Sequence, residues 1–146
     1  MSRIITYKGK LNIDTEDRIK LSTLDGKTGY KINKFQIIST TPGTGNKELI
    51  GKITDKADDN IGATVDFSNS ELLAVCYFAD RTTNESSIFG PIIFDDRKCN
   101  QDIFVSISDA TGNSVPANYY IELETMKLSD LESTYLTLQS LSSISE

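Results

Sequence analysis

The chain has 146 residues and no histidine among them. That removes the side chain that most often shuttles protons or holds a transition metal near neutral pH. A serine nucleophile would have no imidazole to activate it. Tryptophan is absent too, and with it the ring best suited to sugar stacking. Only two cysteines occur, Cys76 and Cys99, with no C-x-x-C spacing, so zinc and thioredoxin chemistry find no support. No apolar run approaches the 18 or so residues of a membrane-spanning helix. The opening MSRIITYKGKL lacks an apolar signal core, so no secretory signal is expected. A basic footprint is missing as well: net charge is −6 and the pI near 4.7, which argues against nucleic-acid binding.

What is present is alternation. Ile5, Tyr7, Leu11 and Ile13 share one face of a first strand, and Lys8, Lys10 and Asn12 share the other. Asp25-Gly26 reads as a type I′ hairpin turn. From Tyr30 to Ser39 the pattern slips phase, which predicts a bulge near Asn33-Lys34. Thr40 to Asn46 is a loop, since Pro42 and two glycines cannot sustain a ladder. Ile61, Ala63, Val65 and Phe67 alternate again. The run 71–79 is apolar on both faces and predicts a central strand containing a core Cys76. Gly90-Pro91 predicts a kink or an edge. Strands follow over 102–108 and 119–127, where Tyr119 and Tyr120 must point to opposite faces. Tyr7 and Tyr77 are expected in the core.

The ending changes period. Ser129-Asp130-Leu131-Glu132 is a capping box. Leu128, Leu131, Tyr135, Leu138 and Leu141 then recur at three- and four-residue steps, the mark of an amphipathic helix. A helix of about 12 residues is marginal alone and must pack. The expected architecture is therefore all-β: a single β-sandwich over 1–128, jelly-roll-like, with one short C-terminal helix and Ser-rich tail over 129–146. That helix packs on the domain or on a neighbouring subunit.

Few motifs suggest chemistry. Gly26-Lys27-Thr28 looks like the end of a P-loop, but the required earlier glycine falls at Leu21. Asp55, Asp58 and Asp59, and separately Asp95, Asp96 and Asp102, have the short loop spacing that Ca²⁺ uses. Neither set fits an EF-hand, and solvated turns are the plainer reading, so no cofactor is expected. Glu122 and Glu124 share a strand face with Cα atoms roughly 6.6 Å apart, within the range of glycosidase acid pairs. Nothing else marks a site around them, and no enzyme is expected. The lysines at positions 8, 10, 20, 27, 31 and 34 read as solvated strand faces. Tyr120, Leu131, Tyr135, Leu138 and Leu141 are the interface candidates.

The second half carries a resemblance. The segments GPIIFD (90–95), QDIFV (101–105), NYYIELE (118–124), Leu128-Ser129-Asp130 and Thr137-Leu138 resemble those of small virion structural proteins of tailed bacteriophages, particularly from marine hosts. The resemblance implies a β-sandwich or jelly-roll module serving in capsid decoration (cement), or at the vertex, neck or tail. It implies the major capsid protein or other virion proteins as partners, homo-oligomers, and a virion location after assembly in the host cytoplasm. It carries over no active-site residue. Two other readings compete: a tail, neck or fibre-attachment component, and a carbohydrate-binding module or adhesin using surface tyrosines and Asp/Asn loops.

Overall fold

A computed structural model describes residues 3–57, 61–80, 87–94 and 98–142. Its strands are β1 (Arg3–Leu11), β2 (Thr15–Ile19), β3 (Thr28–Ser39), β4 (Lys47–Thr54), β5 (Leu72–Asp80), β6 (Ser87–Ile93), β7 (Lys98–Cys99), β8 (Ile103–Asp109) and β9 (Ala117–Lys127). Helix α1 (Asp130–Ser142) follows. The strands form two antiparallel sheets, ordered β1-β9-β3-β7 and β2-β8-β4-β5-β6. With β6 set aside as an added edge, eight strands remain. The first pairs with the last, the second with the second-last, and so inward: β1–β9, β2–β8, β3–β7 and β4–β5. This is the jelly-roll wiring of an all-β sandwich.

Alternation explains which residues fill the space between the sheets. Ile32, Phe35, Ile37, Tyr119, Ile121 and Leu123 come from the first sheet. Leu49, Ile53, Ala74, Cys76, Phe78, Ile103, Val105 and Ile107 come from the second. Inward positions on β3 stay inward only because its register shifts between Ile32 and Lys34, the bulge that the phase slip predicts. The Tyr119 ring lies over Gly9, where an added Cβ would sit 2.9 Å from it. Its hydroxyl donates to Asp17 at 3.1 Å. Burial, reinforced by the Asp17 charge, raises that phenol to about 12.

Strand β5 is buried on both faces, as its composition requires. Its outward residues Leu72 and Val75 join Ile50 in a second cluster beneath Ala63, Tyr77 and Phe94. The cover is a correction to the sequence reading. Residues 61–67 form an irregular segment rather than a strand, with Val65 and Phe67 exposed. Burial does not follow the alternation: Ile61 and Ala63 are half-buried, and everything from Thr64 to Phe67 is exposed. Lys52 donates to the Gly62 carbonyl at 2.8 Å and holds this cover down. Strand β6, with Gly90-Pro91, is the sheet edge, and its register slips between Val75 and Tyr77 of β5.

A second correction concerns Asp25-Gly26. The turn is no hairpin, because β2 and β3 lie in different sheets. Gly26 has φ +66°, whereas Asp25 has no positive φ, so a type I′ geometry is ruled out. The Gly26 amide closes a Thr23–Gly26 turn on the Thr23 carbonyl at 3.3 Å. A sheet-to-sheet crossing uses the same residue types as a hairpin, which is why the two read alike. Likewise β1 stops at Leu11. Ile13 lies in the corner turn, where Asp14 takes φ 61° and its amide donates to the Ile107 carbonyl.

Candidate functional site

Helix α1 begins as the capping box requires: the Glu132 amide donates to Ser129 Oγ at 3.2 Å, and the Ser129 amide to Glu132 Oε1 at 3.4 Å. Much of what holds it to the sandwich is polar, beside the half-buried Leu136. Asn100, 1% exposed, points Nδ2 at the Gly26 carbonyl (3.0 Å), Thr137 Oγ1 (3.0 Å) and the Ser133 carbonyl (3.4 Å). Ser133 Oγ donates to the same Gly26 carbonyl at 2.9 Å. A Cβ on Gly26 would lie 3.3 Å from both Asn100 Nδ2 and Ser133 Oγ, so glycine is required by space and by φ together. Two exposed ion pairs flank this seam, Lys27–Asp130 at 3.0 Å and Lys98–Glu132 at 3.4 Å.

The consequence is geometric. Residues advance 100° around a helix, so Ser133 and Thr137 lie on the side opposite Leu131, Tyr135 and Leu138. With the polar side clamped inward, the apolar stripe faces water. Leu131 is 82% exposed, Tyr135 63% and Leu138 60%. The Leu141 side chain lies outside the described residues.

The fifth interface candidate, Tyr120, lies on the outer face of the first sheet. Across that face Lys8, Tyr120 and Gln36 make one row, and Lys10, Asn118 and Ile38 the next. Tyr120 and Ile38 are exposed apolar groups there. Lys8 and Lys10 are exposed and have no ion pair among the described residues. Glu122 and Glu124 occupy the next rows of the same open face. Lys34 stands 4.0 Å from Glu122, and Asn33 Nδ2 donates to Glu124 at 3.4 Å. Both carboxylates are half-buried on this face.

The calcium candidates separate. Asp102 is a structural staple. Its Oδ1 accepts the Leu21 and Ser22 amides at 2.8 and 2.9 Å, and its Oδ2 accepts Arg18 Nε at 2.7 Å. Burial alone would raise this carboxyl, but the two amides and the guanidinium outweigh it and hold it at about 2. Asp55 lies near Asp102 across a small crevice shared with Cys99, Asn100 and Leu136. Asp58, Asp59, Asp95 and Asp96 lie outside the described residues. No three His, Cys, Asp or Glu side chains gather as metal ligands among those that are described.

Two features escaped the sequence reading. Lys47 is buried, donating through Nζ to the Thr41 carbonyl (2.9 Å) and Thr44 Oγ1 (3.2 Å), with Asp80 at 3.8 Å. It ties the 40–46 loop to the end of the core. The other is a cavity of about 320 Å³ between the sheets, lined by Phe35, Ile37, Cys76, Phe78, Pro91 and Tyr119 among others. Its described lining carries no carboxylate and no amine. Burial pushes the Cys76 thiol up, so it behaves as a core hydrophobe. Neither cysteine is in a disulfide. No described helix is long and apolar enough to cross a membrane.

No family model matches the chain, and no curated protein matches it.

Proposed function

We propose that this chain is a non-enzymatic structural protein of a tailed-bacteriophage virion, most simply a decoration protein seated on the capsid exterior. The observation that carries the reading is α1. It is clamped through Ser133, Thr137 and Asn100, and it holds Leu131, Tyr135 and Leu138 out to solvent. A helix fixed by its polar side, with its apolar side unpaired, is built to meet another protein. The jelly-roll wiring supports the reading by analogy, since capsid proteins use it often, although lectins do so too. The resemblance of the 90–138 segments to phage virion proteins points the same way.

On this reading the partner is the major capsid protein or a neighbouring virion subunit. Mass spectrometry of purified particles tests it. A decoration protein is expected in roughly hundreds of copies, in keeping with the symmetry of a head, whereas about six to a few dozen copies would assign it to the tail or neck. Particles lacking the protein are expected to lose head stability under heat or dilution. Its absence from mature particles would reject the virion reading altogether.

A further inference from the structure

The cavity between the sheets has a cause that can be traced residue by residue. On β5, Val75 pairs with Ile92 and Tyr77 with Phe89. Cys76 between them therefore faces two residues of β6, Gly90 and Pro91, in a bulge. Gly90 has no side chain to offer, and Pro91 is exposed. Across the interior, Phe35 and Ile37 lean the other way. They reach over Gly51 of β4, where an added Cβ would lie 3.0 Å from Phe35 Cζ, Ile37 Cγ2 and Cys76 Sγ. The large side chains of the first sheet are thus drawn toward β4, and space is left over Cys76 on the β6 side. The resulting cavity of about 320 Å³ has a lining that runs from the exposed Pro91 and Gln36 to Phe35, which has no exposure at all. One end meets solvent and the other is set in the core.

Size, charge and shape narrow what such a space takes. Close-packed interiors hold few voids larger than a water molecule. An apolar cavity of about 150 Å³ already accepts benzene, and ligand sites begin at about 300 Å³. No described lining residue is charged. A carboxylate or phosphate would lose its water there with no cation in the described lining to replace it. Tyr119 offers its ring and not its polar end, because its hydroxyl already donates to Asp17 at 3.1 Å. Phe35 and Phe78 add two more rings, and Cys76 adds a polarizable sulfur. Rings and sulfur together favour contact with another aromatic group.

We infer that this cavity is a binding site for a small neutral aromatic molecule of one or two fused rings, which enters between β3 and β6 and is held by apolar contact. The site goes beyond the virion reading and does not depend on it: particle composition tests that reading, and ligand binding by the purified chain tests this one.

The experiment is titration of the full chain with indole, followed by NMR of its isoleucine and leucine methyl groups and by thermal unfolding. The Ile37 methyl signals are expected to move and saturate, with a dissociation constant on the order of 0.1 mM or tighter. Those of Ile4 and Leu131, exposed elsewhere, are expected to stay in place. The unfolding midpoint is expected to rise with indole concentration. Neutral 3-acetylindole is expected to bind as well, and indole-3-carboxylate, of the same size but charged, to bind at least roughly tenfold more weakly. Cys76→Phe places a ring in the cavity and is expected to keep the circular dichroism spectrum while weakening indole binding at least roughly tenfold. Ile37 signals that do not respond to millimolar indole overturn the inference. So do equal shifts at Leu131 and Ile4, which would mean general surface adsorption, and equal binding of the carboxylate. A folded Cys76→Phe chain that binds indole like wild type overturns it too. The wild-type spectra decide by themselves should that variant not fold.

Discussion

Asp102 and Lys47 show how single buried charges hold this fold. Asp102 titrates at about 2 in the folded chain, against about 3.9 for a free aspartate. A carboxyl whose folded value is depressed stabilises the fold above its unfolded value. That support is lost as pH falls through about 4 toward 2. The loss from this one group is about 2–3 kcal/mol. Urea unfolding from pH 6 down to pH 2 is expected to show it, and Asp102→Asn is expected to start less stable and lose less over the same range. Lys47 makes a second test. Lys47→Ala leaves Asp80 buried beside an empty space and is expected to cost about 3–5 kcal/mol. Lys47→Met with Asp80→Asn should cost less than the sum of its single changes, by about 2 kcal/mol, in a double-mutant cycle of urea midpoints. Neither role was legible in the sequence. Lys47 follows a polar loop and Asp102 follows Asn100-Gln101, so both read as solvated. Their burial depends on partners supplied by other segments: Leu21 lies 81 residues from Asp102.

At the scale of elements, local signals survived and distant ones did not. The bulge at Asn33, the edge character of β6, the two-faced burial of β5 and the capping box of α1 each rest on neighbouring residues, and each was readable. The Thr23–Gly26 turn and the 61–67 segment read as a hairpin and a strand because their role is set by which sheet lies beneath them. The helix was half legible. Its stripe was clear, but a stripe ordinarily faces the core. Only Ser133 and Thr137, four residues apart, hinted at a polar side turned inward, and that hint needs Asn100, 33 residues from Ser133, to complete it. Asn100→Ala would leave the Gly26 carbonyl and Thr137 hydroxyl short of a buried donor, at a cost of about 2 kcal/mol. Native-state hydrogen exchange is expected to show α1 amides opening well before those of β4, β8 and β9 in that variant. Equal protection across helix and sheets would mean that the seam does not hold the helix.

For the whole molecule, its two outer faces differ. On the second sheet Ala63, Tyr77 and Phe94 pack over Ile50, Leu72 and Val75. The first sheet carries Lys8, Lys10, Tyr120 and Ile38 exposed on its outer face. The interior follows the same division of labour: Cys76 sits in the core with its thiol pushed up by burial. It is expected to resist an aromatic disulfide reagent until the protein unfolds, while Cys99, half-buried near the surface, reacts first. A second thiol titrating as fast as the first would place Cys76 within reach of solvent.

Closing the first strand against the last has a cost in time. Arg3 bonds to Thr125, 122 positions away, so a ribosome must release β9 before β1 finds its neighbour. Folds dominated by such distant pairings assemble over milliseconds to seconds. Until then the nascent zigzags wait with their ladders open, and the newborn chain is most at risk of aggregation in that interval.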